Sequence, residues 1–189
     1  MENFLENIYG SIVEPIKTFD RLKEEKPYLQ ALIIVIVISL LSPVFNNMLA
    51  VDKQSFGELL GFSILSVIAG LFNWLAFAGF MELFSFIFNQ NGKFKEMLTL
   101  SGFALIPWIL LAPVFLLKQA GTFFEGIGIL LALCVFIWAI FLFFLSVAKS
   151  YGLTALRCIV FALIPLIASI IQLHWFIYFI QNFIQVIKV

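Results

Sequence analysis

The chain has 189 residues, of which 63% are hydrophobic and 12% charged, with 11 basic and 11 acidic side chains and a formal net charge of zero. An ordinary soluble domain is about 45–50% apolar, so this surplus exceeds what one aqueous core can hide, and a neutral chain lacks the basic face that nucleic-acid phosphates require. Of the 22 charges (11 plus 11), ten lie in the first 28 residues, which leaves 12 for the other 161.

The N-terminal stretch, residues 1–28, is amphipathic. Its apolar residues are interleaved with acids rather than gathered behind a basic start, so it does not read as a cleaved signal peptide. Phe4, Ile8, Ile12, Ile16, Phe19 and Leu22 recur at steps of three or four and share one helical face, while Glu6, Lys17, Asp20, Arg21, Lys23 and Glu24 fall largely on the others. Pro15 divides the stretch, because proline is tolerated at the first position of a helix and not inside one. The spacing therefore predicts two short helices meeting at Glu14-Pro15. Their apolar face is expected to lie on lipid at the headgroup boundary; the alternative is a cap packed on a helix bundle.

Charge-free runs then cover 27–51, 59–81, 97–117, 126–148 and 158–187, which is 25, 23, 21, 23 and 30 residues. Each exceeds the roughly 20 apolar residues with which an α-helix crosses the hydrocarbon core. Strands are a poor alternative, since the runs are long and lack period-two alternation. The expectation is an all-α membrane protein whose domain 29–189 holds five transmembrane helices, at about 29–51, 58–81, 97–117, 126–148 and 154–172. The last run is too long for one span. From Gln172 onward, Gln172, His174, Tyr178, Gln181 and Gln185 fall near one stripe, so 173–189 reads as an interfacial helix or a tilted continuation.

Short loops set the orientation. Eight basic residues (Lys17, Arg21, Lys23, Lys26, Lys93, Lys95, Lys149, Arg157) fall on the N-terminal side and three (Lys53, Lys118, Lys188) on the other. The positive-inside rule then places the N-terminus in the cytoplasm and, with five spans, the C-terminus outside the cell membrane.

Candidate chemistry is sparse. Cys134 and Cys158 have neither metal spacing nor a second pair. Gly126-Ile127-Gly128 lacks the third glycine and the preceding strand of a dinucleotide site. His174, the single histidine, beside Trp175, reads as an interfacial hydrogen-bonding side chain. No cofactor, metal or catalytic residue is expected, and the chain is not expected to be an enzyme.

Glu82 is the most interesting charge, because it follows Phe80-Met81 and precedes a further apolar stretch. Intramembrane acids are costly and usually functional. It reads either as an acid paired with Lys93, Lys149 or Arg157, or as a proton or ligand site on a transport path. Asn73 and Arg157 are further polar candidates. Small and helix-bending residues recur as well: Ser42-Pro43, Gly57, Gly61, Ser66, Gly70, Ser101-Gly102, Pro107, Pro113 and Pro165. They favour close helix packing and kinks, with dimerisation a second use of Gly57-x-x-x-Gly61.

Three of these segments resemble a known family. Glu14-Pro15-Ile16-Lys17-Thr18-Phe19, followed by Lys26-Pro27 and immediate entry into a span, looks like the opening of prokaryotic Yip1-domain proteins. Ser101-Gly102-Phe103-Ala104-Leu105-Ile106-Pro107 is similar to the family's third-helix pattern, with Phe103 where the pattern has Tyr, and Leu156-Arg157 leads into an apolar run with Pro165. Eukaryotic members associate with Rab GTPases and act in vesicle traffic between ER and Golgi; their Asp-Leu-x-Gly-Pro motif is replaced here by Glu14-Pro15. The resemblance implies a five-span, non-enzymatic protein that organises a membrane or recruits partners. Expected partners are membrane lipids, other proteins or a second copy of the chain. The competing expectation is a transporter or channel for an ion, lipid or small solute, built on the polar residues near Glu82.

Overall fold

The computed structural model describes residues 2–49, 55–87, 93–117 and 122–153, together with positions 158, 163, 167–168, 170–175 and 178. Every element among them is helical. Helix α1 spans Glu2–Val13 and α2 spans Pro15–Glu25, with Pro15 at the start of α2, where its missing N–H forfeits nothing. The two pack closely, because a Cβ on Gly10 would lie 2.5 Å from Oγ1 of the buried Thr18. Lys26 ends α2 in a left-handed conformation (φ 49°), its N–H bonded to the Leu22 carbonyl at 2.9 Å. Pro27 bars the residue before it from helical geometry and so forces a new start.

Helix α3 (Tyr28–Leu49), α4 (Phe56–Ile87), α5 (Phe94–Ala104), a 3-10 turn (Ile106–Leu110), α6 (Leu111–Leu117) and α7 (Thr122–Tyr151) follow. Among the described residues, four stretches are long and apolar enough to cross a membrane: Tyr28–Phe45, Phe56–Leu83, Phe94–Val114 and Phe123–Tyr151. The expected fifth span and residues 173–189 fall largely outside the described residues. The 32 residues of α4 would reach about 48 Å as a straight helix, so α4 runs past the expected end at residue 81 and carries Glu82 within its last two turns.

Burial shows how the bundle is organised. The stretch Phe94–Val114 is 56% buried against 6% for Phe56–Leu83, so α5 is the central helix and α4 a peripheral one. It touches α3, α4 and α7. Outward faces carry apolar rows at helical spacing, Leu29, Ile33, Val37 and Leu40 on α3 and Leu60, Ile64, Ile68 and Phe72 on α4. An aqueous surface would be polar there; hydrocarbon accepts such rows. These rows and the four candidate spans identify an all-α membrane protein.

The break at Pro107 is built into the core. Trp108 donates its N–H to Leu105 (3.0 Å) and Leu105 to Gly102 (3.2 Å), the tightened pattern that takes over where proline has no N–H to give. At Gly102 a Cβ would sit 2.6 Å from the Cβ of Ala31, so α3 and α5 make their close approach there. At the far end of α7, Gly152 (φ 64°) supplies the left-handed turn that closes the helix, and Leu153 bonds back to Ala148 at 3.2 Å.

Candidate functional site

The α1–α2 hairpin lies across one end of the bundle, held by apolar contact and by charge. Phe19 and Leu22 are fully buried in the main core with Ala31, Leu100 and Phe103, and Phe4, Ile8 and Ile12 pack against them. The face expected to rest on lipid is therefore turned into the protein; of its six residues only Ile16 is exposed, at 55%. Charge pairs fix the orientation of the docked face. With this face inward, Lys26 pairs with Glu96 at the start of α5 (3.1 Å), and Asp20 pairs with Lys149 at the end of α7 (2.6 Å). Lys23 also donates to the Lys149 carbonyl at 2.8 Å. Arg21 donates to Glu6 and to Asn7 Oδ1 (2.7 Å), and Asn7 Nδ2 donates to Gln30 Oε1 (3.0 Å), which ties α1, α2 and the start of α3 into one network.

With that face consumed, a second apolar row looks outward. Leu5 (69% exposed), Tyr9 (67%) and Val13 follow one another at steps of four along α1, so they share a helical face, and Ile16 at the start of α2 is exposed as well. Sequence periodicity alone could not separate the two rows, since α1 carries apolar residues on both.

Glu82 is engaged in structure. Its Oε2 accepts the backbone N–H of Lys93 at 2.9 Å, in front of α5. A carboxylate there satisfies one of the helix's unpaired amides and meets the positive end of its dipole. Of the three expected partners, Lys93 serves through its backbone, Lys149 is taken by Asp20, and Arg157 lies outside the described residues, as does Pro165. Glu96 is also enclosed: its side chain is 13% exposed, and it lies in the first turn of α5 facing Lys26. An acid in the first turn of a helix was the available signal.

Gly102 and Pro107 act in packing and in the helix break, as described above. Ser101 accepts the indole N–H of Trp74 (3.1 Å), which joins α4 to α5, and Phe103 is fully buried with no hydroxyl to satisfy. Cys134 is exposed and Cys158 buried, both free thiols. Among the described residues no group of His, Cys, Asp and Glu is placed to hold a metal.

Asn73 borders a cavity that no sequence pattern disclosed. One lobe, of about 540 Å³, lies between α3 and α4; a second, of about 240 Å³, continues toward Trp74 and Phe143, and both include Ser39, Gly70, Asn73 and Leu173. Its serines are drawn from three helices and converge only on folding.

The family model described as Yip1 domain matches residues 9–176. The chain belongs to the Yip1 family. It is also 28% identical over 114 residues, 54% of this chain and 81% of the relative, to the uncharacterised protein MJ0794 of Methanocaldococcus jannaschii. No solved structure matches. In this Yip1 protein the family-like opening Glu14–Phe19 is the start of the docked helix α2, and the family-like segment Ser101–Pro107 is the central crossing and its break. Both motifs thus mark places where the bundle is held together.

Proposed function

We propose that this Yip1 protein has no catalytic role and organises its membrane, or recruits proteins to it, through the α1–α2 hairpin. The supporting observation is the combination of a hairpin fixed to the bundle by Lys26–Glu96 and Asp20–Lys149 with an outer α1 row of Leu5, Tyr9 and Val13, and Ile16 at the start of α2, left without a protein partner among the described residues. The hairpin end also collects Lys17, Arg21, Lys23, Lys26, Lys93 and Lys149, so the positive-inside rule assigns it to the cytoplasmic face of the cell membrane. A rigidly mounted row of this kind, at the level where spans emerge, inserts at the headgroup boundary and perturbs one leaflet.

The test is reconstitution into vesicles at several protein-to-lipid ratios, with vesicle shape and co-recovered proteins as readouts. Leu5→Asp with Tyr9→Asp should leave thermal stability unchanged and remove the effect on vesicle shape or partner recovery. A double variant that retains both activities would overturn the proposal.

A further inference from the structure

We propose that the groove between α1 and α2 holds the head of a zwitterionic phospholipid with a primary ammonium group, of the phosphatidylethanolamine kind. The inference rests on the reading that the hairpin's outer row meets the headgroups, and adds which headgroup is chosen. The first argument is position. The groove, of about 460 Å³, has its floor where the two helices touch, at Gly10 and the buried Thr18. Tyr9 and Val13, exposed members of the outer row, form an apolar wall. A lipid whose glycerol and first methylenes lie against that wall has its head over the groove.

The second argument is the arrangement of charge. Lys17 and Arg21 stand four residues apart on α2 and so are neighbours on one face, a spacing at which two cations share one phosphate. Each has a carboxylate beside it: Glu14 Oε2 accepts from Lys17 at 2.8 Å, and Glu6 Oε1 accepts from Arg21. All four side chains are open to solvent, from 38% exposed for Arg21 to 81% for Lys17. Exposed ion pairs are worth little, so they rearrange around a ligand at small cost. Beyond its pair, Lys17 Nζ offers further N–H donors and each carboxylate a second oxygen. A phosphate seated between Lys17 and Arg21 therefore puts its own ammonium within reach of Glu6 or Glu14, because each acid already touches one of these cations.

The third argument excludes the competing heads. The groove carries two acids and two bases, and residues 1–28 carry six acids against four bases. An anionic head finds no excess of positive charge there. A choline head has no N–H to give the carboxylates, whereas an ethanolamine ammonium donates to them with the strength of a charge-assisted bond.

The experiment uses the full chain in phosphatidylcholine nanodiscs doped with dioleoyl lipids that carry a diazirine at the start of one acyl chain and either an ethanolamine or a choline head, followed by mass-spectrometric mapping. Peptides from residues 9–21 should be labelled about three- to tenfold more by the ethanolamine lipid. Unlabelled dioleoyl phosphatidylethanolamine should compete. Its N-acetylated form, dioleoyl phosphatidylglycerol, and glycerophosphoethanolamine, which has the head without the chains, should not. Glu6→Gln with Glu14→Gln alters only exposed side chains and should remove the preference with the chain still folded in a thermal melt. Lys17→Gln should weaken labelling by both lipids and keep their ratio, since the phosphate is common to both. Equal labelling by the two lipids, a preference that survives the double variant, or competition by any of the three control compounds would overturn the headgroup assignment and leave the outer-row reading standing. A hairpin labelled by neither lipid would overturn both.

Discussion

Replacing Phe19 with alanine tests how the hairpin is mounted. Phe19 has no exposed surface and stands in the main core, whereas Tyr9, on the same hairpin, is 67% exposed. Removing a buried Phe side chain costs about 3–5 kcal/mol through lost burial and the cavity left behind. For a chain of this size each kcal/mol lowers the melting temperature by about 2–4 °C. Phe19→Ala should therefore lower it by roughly 6–20 °C. Tyr9→Ala, with little burial to lose, should stay within about 2 °C. The assay is built into the protein: Cys158 is 2% exposed, so in a Cys134→Ala background a thiol-reactive dye reports unfolding in detergent. If Phe19→Ala melts with the parent, or if Tyr9→Ala is the more damaging change, the other row of the hairpin faces the bundle.

Three further outcomes follow from the same contacts. Glu82→Ala leaves the Lys93 amide in front of α5 without its acceptor and should cost about 1 kcal/mol in the same melting assay, while Glu82→Gln, which keeps an accepting oxygen, should lie nearer the parent. Gly102→Ala should destabilise by about 1–3 kcal/mol through overpacking against Ala31, although alanine is intrinsically the better helix former by about 1 kcal/mol; Ala31→Gly in that background should restore part of the loss. Lys17, by hydrogen bond and charge, holds the Glu14 carboxyl below its ordinary 4.5. The pair therefore contributes above that pH and its contribution fades as pH falls through the lowered value, so Glu14→Gln should differ from the parent at neutral pH in low salt and converge with it in acid or high salt.

How much of this was legible in the sequence differs from element to element. Spans were legible because charge is expelled from hydrocarbon: the runs beginning at residues 27, 59, 97 and 126 each contain the greater part of a helical stretch. The start of α2 at Pro15 and the break at Pro107 were legible too, since proline acts locally through its missing N–H. The inward face of the hairpin was not. Phe4, Ile8, Ile12, Phe19 and Leu22 have the periodicity of a lipid-facing helix, and what they meet instead is an apolar surface of Ala31, Leu100 and Phe103 from distant helices, with Lys26–Glu96 and Asp20–Lys149, residues 70 and 129 positions apart, fixing the orientation. Glu82 stands out in the sequence by its charge, but its role depends on the amide of Lys93, eleven residues on and across a helix connection. The cavity at Asn73 was the least accessible feature, because Ser39 and Ser66 meet across 27 residues and single serines in apolar helices carry no pattern.

The proposed role requires a hairpin whose inner row is buried and whose outer row meets the headgroups on the basic side of the membrane. The most direct measurement attaches an environment-sensitive fluorophore at Tyr9→Cys in a chain lacking Cys134 and Cys158, reconstituted in vesicles containing lipids spin-labelled at the headgroup or deep in the acyl chain. The account predicts quenching by the headgroup label, weak quenching by the deep one, and a loss of headgroup quenching when Leu5→Asp is added. A fluorophore quenched by neither lipid and fully by a water-soluble quencher would contradict it, because the outer row would then stand in water, away from the membrane it is proposed to act on.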